Sequence, residues 1–312
     1  MLRSNKHHRS IITAALLFLT ITISACSSPA QSTNAASVGA VTIPMSDYLA
    51  LSRLIYITNQ LQNTSLATWQ TPNGRITLAQ AQQGALQTLV SNILLTNTAK
   101  NMKFNVTTIQ NNAATQTKQF LAKLNPQYQP LEDQGVISVA SIQPLFYQQI
   151  IQGDVFGKTS VSTAHIRMLS VQKLAEAQSL AAQLQKGADW SALATKYSVD
   201  PAQSNGGDVP IVVPGVLAAS IDAYVFGSGN TFPSAIKIIP NHNVFMLVQV
   251  VSVSKTLITS LPTNAGIFPT SSISVQASAV QNYTTQLIHS ASLSIYVDWC
   301  SATTAQSCGP LM

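Results

Sequence analysis

At residue 160 the apolar residues stop recurring at helical spacing and begin to alternate, and this switch divides the chain. Before it, four stretches carry apolar stripes at three- and four-residue steps, the mark of helices with one buried face. Ser46 is placed to cap the first, from Asp47 to about Gln62, with Leu51, Leu54 and Ile55 on one side. Thr71 to Gly74 reads as a turn, and a second helix is expected from about Thr77 to Lys100 through Leu86, Leu89, Val90, Ile93 and Leu94. Thr107 or Thr108 caps a third, to about Leu124. A fourth, near Val136 to Gln152, contains Pro144, which should kink or divide it.

From Ser160 to Leu169 the pattern is that of a strand, with Ala164, Ile166 and Met168 on one face and His165 and Arg167 on the other. A helix follows from Val171 to Lys186, ended by Gly187, and Asp189 is set to cap a short helix through Trp190, Leu193, Ala194 and Tyr197. Gly206-Gly207 reads as a tight turn, Ala218 to Phe226 as a short helix and Val244 to Val250 as a strand. Residues 159–254 thus form a β-α-α-β-α-β domain set into a helical one of residues 38–155, and the fold class is α+β. Residues 255–272 read as a linker, Ile273 to His289 as a helix, and Ala291, Leu293, Ile295, Val297 and Trp299 alternate as a strand. That last strand needs a partner, and Val38 to Pro44 is the free β segment, so residues 273–312 should pack back on the N-terminal domain.

Composition narrows the function classes. Charged residues are 8% of the chain, against about 25% in an average globular protein. Hydrophobic residues are 46%, but beyond the N-terminus no apolar run approaches the roughly 18 residues of a membrane span. Residues 1–10 hold Arg3, Lys6 and Arg9, and an apolar stretch from Ile11 to Ile23 ends in Ile23-Ser24-Ala25-Cys26. This resembles the lipobox of bacterial lipoproteins. The resemblance implies a signal peptide at 1–25, acylation of Cys26, a flexible tether over 26–37, and a lipid-anchored protein on the extracytoplasmic side of a bacterial cell membrane. Without the leader, 13 basic residues stand against 10 acidic ones and no basic run remains, which excludes nucleic acid as a partner. Cys300 and Cys308 are left as an even pair in an oxidising or thiol-poor compartment and are expected to form a disulfide. A zinc site lacks ligands, since His289 is the nearest other candidate.

Ala164-His165-Ile166, Glu176-Ala177, Gly187-Ala188-Asp189-Trp190, Leu193-Ala194, Tyr197-Ser198-Val199-Asp200 and Gly206-Gly207-Asp208 follow one another over about 45 residues. In that order and spacing they resemble the parvulin family of peptidyl-prolyl isomerases. The flanking helical module and the C-terminal helix and strand are similar in layout to the SurA/PrsA-type foldases, in which a parvulin domain is inserted in a helical chaperone core. The resemblance implies a peptidyl-prolyl cis-trans isomerase that acts on X-Pro segments of unfolded or partly folded exported polypeptides, with no cofactor and no metal. It assigns His165 and Asp200 as catalytic residues. Ser198, Leu217, Ile221, Phe245 and Met246 follow as substrate-binding residues, with Leu217, Ile221 and Met246 flooring a proline groove.

The second half departs from the family. Val209-Pro210-Ile211-Val212 stands where Leu-Gly and aromatics are usual, and Met246 takes the place of the second histidine, with His242 four residues earlier. Two readings stay open: an active isomerase, or a non-catalytic holdase with a degenerate parvulin domain.

Overall fold

The computed structural model describes residues 33–62, 72–227, 231–263 and 273–297. Cys26, Cys300 and Cys308, and with them the expected acylation and disulfide, lie outside the described residues. The chain divides into two compact units, residues 1–155 with 284–312 and residues 156–283.

The first unit is mainly helical. Its helices are α1 (Met45–Gln62), α2 (Pro72–Asn101), α3 (Val106–Leu121), the short α4 (Gln129–Asp133) and α5 (Val139–Phe156). α2 begins where a turn is expected: Pro72 opens the helix, a position where its missing N–H costs nothing. Asn105, not Thr107 or Thr108, caps α3, accepting from the Thr108 N–H at 3.2 Å. α1 starts at Met45, one residue ahead of the expected cap, and the Met45 N–H donates to the Thr33 carbonyl. α5 runs unbroken through Pro144. Leu51, Leu86, Val90 and Phe146 meet in the core, with Phe120 edge-on to Phe146 at 5.9 Å between ring centroids.

Three strands complete this unit: β1 (Asn34–Val38), β2 (Val41–Pro44) and, from the far end of the chain, β7 (Leu293–Ile295). Their order is β2-β1-β7, antiparallel throughout. The chain ends do pair, but the terminal strand lies against β1, with Ala36 opposite Ile295 and Val38 opposite Leu293, while 41–44 pairs on the other side of β1. The expected tether therefore loses residues 34–37 to a strand. Ile43, Ala36 and Ile295 form one buried row across the sheet.

The second unit is built on a four-stranded antiparallel sheet of order β4-β3-β6-β5. β3 (Ser160–Val171) and β6 (Val244–Leu257) pair along their whole length, from Ser160 opposite Leu257 to Val171 opposite Phe245. β6 thus reaches into the expected linker. β4 is Asp208–Val212, and β5 (Lys237–Asn241) is a strand the sequence reading lacks. Pro240 masks its signal, and the ladder tolerates the proline because β5 is an edge strand. The observed order is β-α-α-β-α-β-β.

α6 (Leu174–Gln185) and α7 (Trp190–Tyr197) pack on Leu169, Val171 and Leu247 of one sheet face. Asp189 caps α7 as expected, accepting from the Ala192 N–H at 2.6 Å. α8 is Ala219–Phe226, and α9 (Val275–His289) crosses the division between the units at Thr284. Its first part belongs with the sheet: the Asn282 amide donates to the Pro214 carbonyl. Among the described residues no helix is long and apolar enough to cross a membrane.

Candidate active site

His165 sits midway along β3, where both neighbouring strands break register. Ile166 pairs with Val250 and His165 with Ser252, so β6 bulges at Val251; β4 carries an extra residue between Val209 and Val212. Bulges re-aim the side chains beside them. β4 starts at Asp208, opposite Arg167, and so brings a carboxylate to the flank of the His165 ring. The His165 Nε2 lies 2.7 Å from the Asp208 Oδ1, and the Arg167 Nε is 3.8 Å from the same oxygen. An ionised carboxylate only accepts, so Nε2 carries the proton and, in the neutral ring, Nδ1 is left as an acceptor. The His165 side chain is 31% exposed and that of Asp208 45%. A pair this open adds little to stability, at most about 1 kcal/mol.

Two adjacent glycines make that approach possible. Gly206 and Gly207 have φ of +61° and +76°, and the Gly207 carbonyl accepts from the Met168 N–H at 2.8 Å. A Cβ on Gly207 would collide with the Met168 carbonyl and stand 2.8 Å from the Trp190 Nε1. The tight turn is therefore confirmed, and with it the entry of Asp208 into the sheet.

Asp200, expected as a catalytic residue with His165, makes its hydrogen bonds within its own loop. Both Asp200 oxygens are engaged elsewhere: Oδ1 accepts from the Ala202 N–H at 2.7 Å, capping a 3-10 turn, and Oδ2 accepts from the Ser198 hydroxyl at 2.8 Å. Ser198 Oγ in turn accepts from the Ser170 N–H at 3.0 Å. Ser170 is five residues from His165, about 17 Å along a strand. Asp200 and Ser198 thus clamp the loop after α7 to the end of β3. The carboxylate that faces the histidine is Asp208, quoted in the sequence motif but given no role there.

The apolar set separates too. Phe245 belongs to the core under α6 and α7, whereas Met246, its strand neighbour, points to the other face opposite Ser170 and Ile239. Met246 is 5% exposed and Ile221 2%, so these two are packed interior rather than an open groove floor. The Asn241 amide donates to the Met246 sulfur at 3.4 Å. Leu217 is half-buried in a turn held by Asp222, whose carboxylate accepts from the Gly215 N–H at 3.0 Å. Burial pushes the Asp222 carboxyl above its ordinary value, against the pull of the Gly215 and Leu217 backbone bonds. His242 is exposed in the β5–β6 turn at φ +51° and contacts the Asn241 side chain, so it does not stand in for a second histidine beside His165. Among the described residues no three His, Cys, Asp or Glu side chains gather as a metal site.

Residues 157–254 match the family model of the PPIC-type PPIase domain. This segment is a parvulin-type peptidyl-prolyl isomerase domain. Among solved structures, the parvulin domain of PpiD from E. coli is similar at 21% identity over 31% of this chain and 92% of its own, with a TM-score of 0.27. PrsA from Bacillus subtilis is similar at 15% identity over 80% and 90%, TM-score 0.26. A structure from Campylobacter jejuni, reported for the SurA-like chaperones PEB4 and Cj1289, is similar at 14% over 82% and 94%, TM-score 0.28. No curated protein matches the chain.

The chemistry of a parvulin-type domain asks for little. An X-Pro bond turns over a barrier of about 18–20 kcal/mol without any bond being broken. A site speeds it by excluding water and binding the twisted amide better than the planar one. Polar groups at the rim of an apolar surface serve that purpose.

Proposed function

We propose that this chain is a lipid-anchored peptidyl-prolyl isomerase that assists the folding of exported proteins at the outer face of a bacterial membrane. The observation that carries the reading is the PPIC-type domain match together with the His165–Asp208 contact inside it. His165 and Asp208 hold the polar side of the site, with His165 as the residue nearest the rotating amide and Asp208 fixing its tautomer. Leu217 lines the apolar side. The nearby cations are already engaged: Arg167 faces Asp208, and the Lys196 ammonium lies 4.9 Å over the Tyr197 ring. The residue before proline is therefore apolar or small and polar, not phosphorylated. The anchor is Cys26, and the clients are unfolded or partly folded exported polypeptides with X-Pro segments. A protease-coupled cis-trans assay on a proline tetrapeptide panel tests the enzyme. Catalysis that falls in His165→Ala supports it; a wild-type protein with no catalysis overturns it and leaves a holdase.

A further inference from the structure

The segment that matches the isomerase family does not hold the apolar side of its site alone. Leu217 stands in the turn of residues 214–217 between β4 and α8, and side chains from two elements grip that turn. From within the segment, both carboxylate oxygens of Asp222 accept from the Gly215 N–H at 3.0 Å, and the Leu217 backbone bonds to the same carboxylate. From outside it, α9 brings Asn282, whose amide donates to the Pro214 carbonyl.

The Pro214 carbonyl and the Gly215 N–H belong to one peptide group, so that group is held at both ends. Gly215 has φ of +83°, and glycine by itself permits this peptide more than one orientation. The two side chains select one. Contact is close, since a Cβ on Gly215 would stand 3.1 Å from the Asn282 Nδ2. Asn282 also lies on the covered stripe of its helix. Val275 and Ala279 are buried, and Asn282 follows them at a three-residue step. Before it reaches the turn, α9 is already attached: the Gln276 amide donates to the Ile258 carbonyl at 3.1 Å. The Asn282 bond is therefore not needed to dock the helix.

We propose that Asn282 is a positioning residue for the isomerase site: it fixes the Pro214–Gly215 peptide and, through it, the Leu217 side chain that meets the substrate proline. This rests on the isomerase reading above. The proline ring keeps its shape while the bond before it rotates. Contact with Leu217 is then equally strong in the planar and the twisted state, so its loss weakens binding and spares turnover.

The test compares the full chain with its Asn282→Asp variant in the tetrapeptide isomerase assay, an ionised Asp keeping the size but being unable to donate. KM should rise about three- to tenfold while kcat changes by less than about twofold. Leu217→Ala should raise KM in the same way, and the double variant should add little, since the two act as a unit. Gln276→Ala, which removes a bond of α9 away from the turn, should leave both constants unchanged. The dissociation constant of the same tetrapeptide, read from amide shifts of the ¹⁵N-labelled chain, should follow KM and needs no catalysis. Unchanged KM and dissociation constant in Asn282→Asp, an equal rise in Gln276→Ala, or additivity in the double variant overturns this inference and leaves the isomerase reading to wild-type catalysis. A wild type that binds without catalysis overturns that reading alone, and the dissociation constants of the variants then decide the role of Asn282. A wild type that does neither overturns both. If Asn282→Asp does not fold, Asn282→Ala, which removes the bond without adding a charge, takes its place.

Discussion

The His165 Nε2 lies 2.7 Å from the Oδ1 of Asp208, a residue 43 positions further on that the Gly206-Gly207 turn delivers to the start of β4. The carboxylate sets which ring nitrogen carries the proton, and it does so at a half-open site where the contact contributes little to folding.

Loss of either partner should therefore appear in rate rather than in stability. His165→Ala and Asp208→Ala are each expected to lower the tetrapeptide isomerase rate several-fold, and the double variant should fall little further, since the two act as a unit. Asp200→Ala should do the reverse: a lost cap lowers stability by about 0.5–2 kcal/mol, with a smaller change in rate. Parallel rate and urea-melt measurements on the four variants check this, and full additivity in the double variant would break the proposed coupling.

Gly207→Ala should unfold or strongly destabilise the isomerase domain. The position needs φ of +76°, and a methyl group there meets the Met168 carbonyl, the Trp190 ring and the Ala194 side chain. A far-UV melt that matches wild type would contradict the geometry.

The two units should separate. Residues 156–283 expressed alone are expected to fold, because both of the sheet's long strands and their covering helices lie inside them. Removal of everything after Ser290 should instead destabilise the first unit, since it uncovers β1 and deletes the buried Ile295. Ile295→Ala alone should cost about 2 kcal/mol. Amide spectra of the fragment and denaturant melts of the truncated chain report the outcome.

Stability should also decline at alkaline pH through Tyr48. Its phenol is 2% exposed, and burial raises its pKa above the ordinary value near 10.0. The unfolded chain then releases a proton that the folded chain keeps. The folded state loses ground as pH rises past about 10, by about 1.4 kcal/mol per pH unit from this one group. Below that range the term vanishes. Tyr48→Phe should flatten this part of the pH profile, and an identical slope in the variant would refute the assignment.

Cys26→Ser should release the protein from the membrane fraction and prevent removal of residues 1–25. A variant as firmly bound as wild type would show that no acyl chain at this cysteine anchors it.

Much of the architecture was legible in the residues because it rests on local periodicity. The stripe through Leu86, Val90 and Ile93, the alternation around His165, the Asp189 cap and the Gly187 stop each act within one element, and the structure keeps all of them. The order of motifs from Ala164 to Asp208 was legible for the same reason, and it lies within the segment that matches the PPIC-type PPIase domain, 157–254.

What the sequence left open was decided by pairing across the chain. Asn34 to Val38 carries alanines, serine and asparagine, with no β signal beyond Val38; it becomes a strand because β2 and β7 bind it from both sides. The His165–Asp208 contact turned on register in the same way. Proximity along the chain made Asp200 the natural partner for the Ser198 and Ala202 groups beside it, and those local bonds occupy it. Asp208 reaches His165 only through antiparallel pairing of β4 with β3 across a bulge, a contact that no spacing rule encodes. Likewise Phe245 and Met246 are neighbours of similar character in the sequence, and only the faces of a folded sheet send one under α6 and α7 and the other against the opposite side.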